Sequence, residues 1–128
     1  MKLFITGASS VLGKALTSEL LKTNKASIRL LEHHLALPKG QCEIYRGDIQ
    51  DFDFLVKACS GIDIVFHLAG VTGSPKMTFE APSTFMVANL LINTNMLEAA
   101  TICGVKKYLF TSTYGVYAPG EVMVEEDM

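Results

Sequence analysis

Gly7 and Gly13 stand in the stretch Thr6-Gly7-Ala8-Ser9-Ser10-Val11-Leu12-Gly13, directly after the apolar run Leu3-Phe4-Ile5. A strand that feeds a helix through such a turn leaves backbone N–H groups without intrahelical partners. With the helix dipole, those groups form an anion site suited to a pyrophosphate. Gly7 allows the tight turn, and Gly13 allows close packing of helix on strand. The plain alternative is a generic strand-to-helix turn. Glu32 lies nineteen residues beyond Gly13. A carboxylate at that distance can accept hydrogen bonds from adenosine ribose hydroxyls, which favours NAD. A 2′-phosphate beside it would meet like charge, but His33 and His34 soften that repulsion and leave NADP open.

More polar groups recur downstream. Asp48, in Gly47-Asp48-Ile49, can accept from an adenine amino group while Ile49 lines the ring; the alternative is a helix-capping turn. Leu68-Ala69-Gly70 is small enough for backbone to approach a bound cofactor. Thr111-Ser112-Thr113, followed by Tyr114 and Tyr117, offers hydroxyls to a substrate hydroxyl or carbonyl, or to turn backbone. His67 invites a catalytic role because imidazole titrates near neutrality. Its place in an apolar run instead makes it a core histidine bonded to backbone. Asp63, at the start of that run, is read as structural.

Elements that could bring these residues together alternate strand and helix with short connections. Strands are expected over 2–6, 28–32, 43–46, 62–68 and 108–111, the fourth being the strongest buried-strand signal. Helices are expected over 11–22, 52–58 and 82–103. The first is amphipathic through Leu12, Ala15, Leu16 and Leu20, and the second is capped by Asp51. The third presents Phe85, Ile92, Met96, Ala99, Ala100 and Cys103 on one face and stops at Gly104. The segment 33–40, broken by Pro38 and Gly40, predicts no helix. Residues 71–81 are expected to be a loop at the crevice mouth, and the acidic tail 121–128 to be mobile. Right-handed crossovers then give an α/β, Rossmann-like parallel sheet in the order 3-2-1-4-5. Its ligand crevice lies at the carboxyl ends, between strands 1 and 4. Every polar cluster named above except Asp63 falls at such an end.

Composition excludes several function classes. A chain of 128 residues suffices for one domain with a core, and 49% hydrophobic with 19% charged residues is ordinary globular content. A net charge of −2 gives no electrostatic footprint for nucleic acid or a membrane surface. No apolar run approaches the ~18 residues that span a bilayer, and the N-terminus is not a signal peptide. Cys42, Cys59 and Cys103 are odd in number and widely spaced, without nearby His. They read as reduced cysteines of a cytoplasmic protein, with no disulfide framework and no metal site.

Taken together, these motifs resemble the N-terminal part of an extended short-chain dehydrogenase/reductase, in the NAD-dependent epimerase/dehydratase family. The likeness rests on residues 6–13, Glu32, 47–49, 63–70, 89–100, 104–113 and Val116-Tyr117, and spans nearly the whole sequence. It implies that Gly7, Ala8, Ser9, Ser10, Val11, Leu12 and Gly13 cradle the pyrophosphate. Glu32 with His33 would hold the ribose, and Asp48-Ile49 the adenine. Leu68, Ala69, Gly70, Asn89 and Thr111 would line the cofactor. Thr113 matches the catalytic Ser/Thr that hydrogen-bonds the reacting substrate oxygen.

Three positions depart from the family pattern. Ser10 replaces the middle glycine of the turn, and Ile92-Asn93 replaces Gly-Thr. The family's acid/base tyrosine belongs to a Tyr-x-x-x-Lys pair expected beyond Thr113, and no tyrosine in this sequence has a lysine four residues on. In the family that lysine lowers the tyrosine pKa for proton transfer as hydride moves. The resemblance therefore implies a single cofactor-binding domain over 1–128, incomplete at its C-terminal end and inactive alone. Its full protein would be an NAD(P)-dependent epimerase, dehydratase or dehydrogenase with a small-molecule substrate, such as a nucleotide sugar. The alternative is a non-catalytic NAD(P)-binding sensor or scaffold. The expected open edge of the fifth strand predicts that the isolated chain dimerises or aggregates.

Overall fold

The alternation of β1 (Lys2–Thr6) sets the layers of the fold. Leu3 and Ile5 turn to one face of the sheet and Phe4 to the other, and all three are buried. On the first face they meet Leu16, Leu20 and Leu21 of α1 (Val11–Thr23). On the second, Phe4 packs with Leu55, Ala58 and Cys59 of α2 (Phe52–Cys59) and with Ile92, Met96, Ala99 and Ala100 of α4 (Pro82–Ile102). A strand covered on both faces has to be apolar at consecutive positions, hence Leu3-Phe4-Ile5. At about 1.5–3 kcal/mol per fully buried large side chain, such burial dominates the cohesion of the centre.

The computed structural model describes residues 1–33 and 41–113. The expectations for His34, for the break at Pro38 and Gly40, for Tyr114 and Tyr117 and for the tail 121–128 fall outside the described residues. The remaining elements are β2 (Ser27–Glu32), β3 (Glu43–Arg46), β4 (Ile64–His67), α3 (Pro75–Glu80) and β5 (Lys107–Phe110). All strands pair in parallel, in the expected order β3-β2-β1-β4-β5. From β1 the chain crosses to β2 on one side, and from β4 to β5 on the other. This reversal opens a crevice beyond Thr6 and His67, which are register partners.

Three local expectations are corrected, and one helix shows a face that the pattern did not single out. Leu12 and Ala15 do not form the buried face of α1; Leu12 is 54% exposed. That face is Gly13, Leu16, Thr17, Leu20 and Leu21, because Gly13 makes the closest contact and the others follow at helical spacing. The segment 71–81 is not all loop. Ser74 accepts from Met77 N–H at 3.3 Å and Pro75 opens α3, a cap and first-turn proline that favour helix. The fourth strand is shorter than 62–68, with Ile62 in a buried turn and Leu68 already in the crevice wall. Lastly, α4 is apolar on a second face as well: Met86, Val87, Leu90, Leu91 and Leu97 are exposed.

A buried cation ties the far end of the sheet together. Arg29 of β2 is 4% exposed, and its Nε donates to Glu43 of β3 at 3.0 Å. Nη1 reaches the carbonyls of Ala58 and Ser60 at the C-terminal end of α2, where the helix dipole favours a cation. Its guanidinium carbon lies 4.2 Å from the centre of the Tyr45 ring. Arg29 thus fixes α2 on the β2–β3 pair.

Candidate dinucleotide crevice

The turn after β1 is built by two glycines for different reasons. Gly7 has φ +69°, and a Cβ there would lie 2.7 Å from the Leu68 carbonyl carbon and oxygen. A Cβ on Gly13 would lie 2.3 Å from the Gly7 carbonyl oxygen. Ser10, where the resemblance implies a glycine, has φ −69° and ψ 166°, extended backbone that any residue adopts. Its Oγ accepts from Gly13 N–H at 3.0 Å, so Ser10 is the N-cap of α1. The substitution preserves the turn, but it satisfies one first-turn donor internally.

Beyond the strand ends lies a crevice of about 610 Å³. Gly7, Ser9 and Ser10 form one wall, Leu31 and His33 follow β2, and Ile49 and Gln50 follow β3. Leu68, Ala69, Gly70, Val71 and Thr72 form the opposite wall, with Ile92 of α4 behind them. Eight expected positions therefore come together here: Gly7, Ser9, Ser10, His33, Ile49, Leu68, Ala69 and Gly70.

The others stand differently. Ala8 is buried beneath the turn, and Val11 and Leu12 are exposed. Glu32 is buried with its carboxylate on Arg46, its register partner. Asp48 accepts from Gln50 N–H at 2.8 Å and lies 3.8 Å from His33 Nε2, so its carboxylate shapes the turn. Asn89 accepts from Val71 N–H at 2.9 Å and donates to the Val71 and Phe85 carbonyls, so its amide pins the wall. Thr111 and Thr113 are exposed past β5 and do not line the crevice.

His67 is a core histidine, fully buried, but its partners are side chains and not the expected backbone. Nδ1 lies 2.8 Å from Thr6 Oγ1, and Nε2 lies 2.9 Å from Asn93 Oδ1. Burial pushes its pKa down, opposed by the hydrogen bond to Asn93. Asn93 was missed as an inward group. The available signal was Asn89 and Asn93, one turn apart on the same side of the helix as Ile92 and Met96. Asn95 was missed too; it donates to the Gln50 carbonyl at 3.0 Å and ties the segment after β3 to α4.

Comparison with known proteins decides the family. The model of the NAD dependent epimerase/dehydratase family matches residues 3–128.

The chain belongs to the NAD dependent epimerase/dehydratase family.

Among relatives of this epimerase/dehydratase chain, "Uncharacterized membrane protein MJ1061" of Methanocaldococcus jannaschii is 31% identical, over 94% of this chain and 38% of the relative. GDP-mannose 3,5-epimerase 1 of Oryza sativa subsp. japonica is 30% identical, over 91% of this chain and 32% of the relative. The solved structure of MoeE5 in complex with UDP-glucose and NAD superposes with a TM-score of 0.83 and 27% identity, over all of this chain and 42% of that one. The chain thus spans well under half the length of these proteins. Among the described residues, no helix is long and apolar enough to cross a membrane, and no cluster of three or more His, Cys, Asp or Glu could hold a metal ion.

Proposed function

We propose that this chain is the cofactor-binding part of a longer NAD-dependent epimerase, dehydratase or dehydrogenase. Its substrate would be a nucleotide sugar or another secondary alcohol or ketone. The observation that carries the reading is the crevice at the β1 and β4 ends, where Gly7 packs without room for a Cβ on the Leu68–Ala69 backbone and Gly13 packs as closely on the Gly7 carbonyl beneath it. That cradle fits a pyrophosphate bridging two nucleosides. The share of each relative that the chain spans supports the partial-domain reading, and the UDP-glucose and NAD named for MoeE5 support the ligand classes. The three free cysteines fit a cytoplasmic setting.

When bound, the nicotinamide would supply a hydride acceptor and donor. The chain's own residues hold it and orient the substrate. The turn from Gly7 to Gly13 takes the pyrophosphate, with Ala8 buried beneath it and Val11 and Leu12 opening the helix. Glu32 takes the ribose, sharing its carboxylate with Arg46, with His33 beside it. Asp48 shapes the turn that sets Ile49 against the adenine. Asn89 holds the crevice wall at Val71, and Thr111 leads to Thr113, which would hydrogen-bond the reacting substrate oxygen. The sequence contains no Tyr-x-x-x-Lys, so these 128 residues alone should not turn over and should bind the dinucleotide weakly or not at all.

Calorimetry with NAD and NADP, on protein expressed from the whole coding sequence, tests the proposal. Binding of NAD in preference to NADP is expected. A clear preference for NADP would overturn the Glu32 argument, and binding of neither would overturn the function. Interconversion or oxidation of a nucleotide sugar by that protein separates the enzyme from a non-catalytic NAD(P) sensor or scaffold.

A further inference from the structure

Three side chains run in an unbroken hydrogen-bonded line from α4 to the crevice wall. Asn93 Oδ1 is an acceptor only, so the His67 Nε2 atom 2.9 Å away carries the proton and donates. At the other end, Thr6 Oγ1 accepts from Ala69 N–H at 3.3 Å. Its own proton then points to His67 Nδ1 at 2.8 Å, the bare nitrogen of a neutral ring. Each donor and acceptor in the line fixes the next. The line ends on the Leu68–Ala69 peptide, on which Gly7 packs so closely that a Cβ there would meet Ala69 N at 2.8 Å.

We propose that Thr6, His67 and Asn93 are positioning residues that lock the Leu68–Ala69 peptide against Gly7 and so fix the spacing of the two crevice walls. Thr6 and His67 are register partners on neighbouring strands, but register alone leaves the imidazole free to choose its tautomer. Asn93 makes that choice from a different layer of the fold. The wall is thereby tied to α4 twice, through this line and through the Asn89 grip on Val71. A line that only satisfied buried polar groups would hold the core together without altering the affinity of the crevice. Its functional consequence rests on the dinucleotide reading above.

The test uses protein from the whole coding sequence, NAD calorimetry, and ¹⁵N NMR of the His67 ring and the Ala69 amide. The unmodified protein should show His67 with its proton on Nε2. Thr6→Val removes the hydroxyl and keeps the shape, and should weaken NAD binding about tenfold, the scale of one lost hydrogen bond. Thr6→Ser should restore affinity to within about twofold. Asn93→Leu, which removes the hydrogen bond to His67 at the far end of the line, should speed exchange of the Ala69 amide, and Asn93→Asp should slow it again. A proton on Nδ1, or unchanged NAD affinity in Thr6→Val, would overturn the proposal. If Asn93→Leu fails to fold, the Thr6 pair decides. If the unmodified protein binds no NAD, the dinucleotide reading falls, and the tautomer and Ala69 exchange still decide whether the line fixes the wall.

Discussion

Gly13 packs its α-carbon on the Gly7 carbonyl so closely that a Cβ would lie 2.3 Å from that oxygen and 2.7 Å from the Ala8 α-carbon. The obstacle is backbone, which cannot rotate away as a side chain would. Gly13→Ala should therefore push α1 off β1 and cost about 1–3 kcal/mol, the range for overpacking a filled core. It should also weaken NAD binding by displacing the Ser10 cap. Urea unfolding and NAD titration of the same variant check both effects.

Arg29 links two layers through one guanidinium. Removing one partner of a buried ion pair costs about 3–5 kcal/mol when the survivor is left uncompensated. Here Glu43 is 40% exposed at its side chain and retains Lys2 at 2.9 Å. The carbonyls of Ala58 and Ser60 still lose their donor. Arg29→Met should thus cost about 2–3 kcal/mol, below the fully buried case. Denaturant unfolding measures it, and a loss under about 0.5 kcal/mol, the scale of an ordinary surface change, would contradict it.

Stability should fall on acidification in two separate steps. The His67 pKa is lowered by burial, so above the ordinary imidazole range both folded and unfolded states hold it neutral and its contribution is complete. As pH falls below that range the unfolded chain binds the proton first, and stability drops until the folded pKa is passed. Glu43 is held low by Arg29 and Lys2, and Asp63 by Lys106 and the Lys2 N–H. Their contributions are lost as pH falls from the ordinary carboxylate range through the lowered folded values. His67→Gln should flatten the upper step and leave the lower one. Melting temperature measured against pH shows both.

β5 ends the sheet among the described residues, with Leu109 and Phe110 about half exposed. The second apolar face of α4 is also open to solvent. An isolated chain of residues 1–128 should self-associate through these surfaces. Sedimentation should show dimers or larger species. Monodisperse monomer at tens of micromolar would contradict this.

The sheet was legible because each strand carries a few adjacent apolar residues between turn residues, and right-handed crossovers leave little choice of order. The glycine turn was legible because Gly7 and Gly13 answer a backbone constraint that no other residue meets. Side-chain partnerships were not. Glu32 reads as a strand-end carboxylate, and nothing local reveals that register places Arg46 beside it. His67 gives no hint that Thr6 and Asn93 flank it, because three separate elements supply the three groups. The buried face of α1 was misread since Leu12 obeys the periodicity while Gly13, with no side chain to score, makes the contact.

The central claim is that the β1–β4 crevice is the dinucleotide site. The most direct measurement is a ¹H–¹⁵N NMR titration of NAD into ¹⁵N-labelled protein from the whole coding sequence. The account predicts saturable shifts at the amides of Gly7, Ser10, Gly13, His33 and Ala69, with Asp63 and Lys106 at the opposite end of the sheet unmoved. Shifts centred on Asp63 and Lys106, or no saturable shift at the Gly7–Gly13 turn, would contradict it.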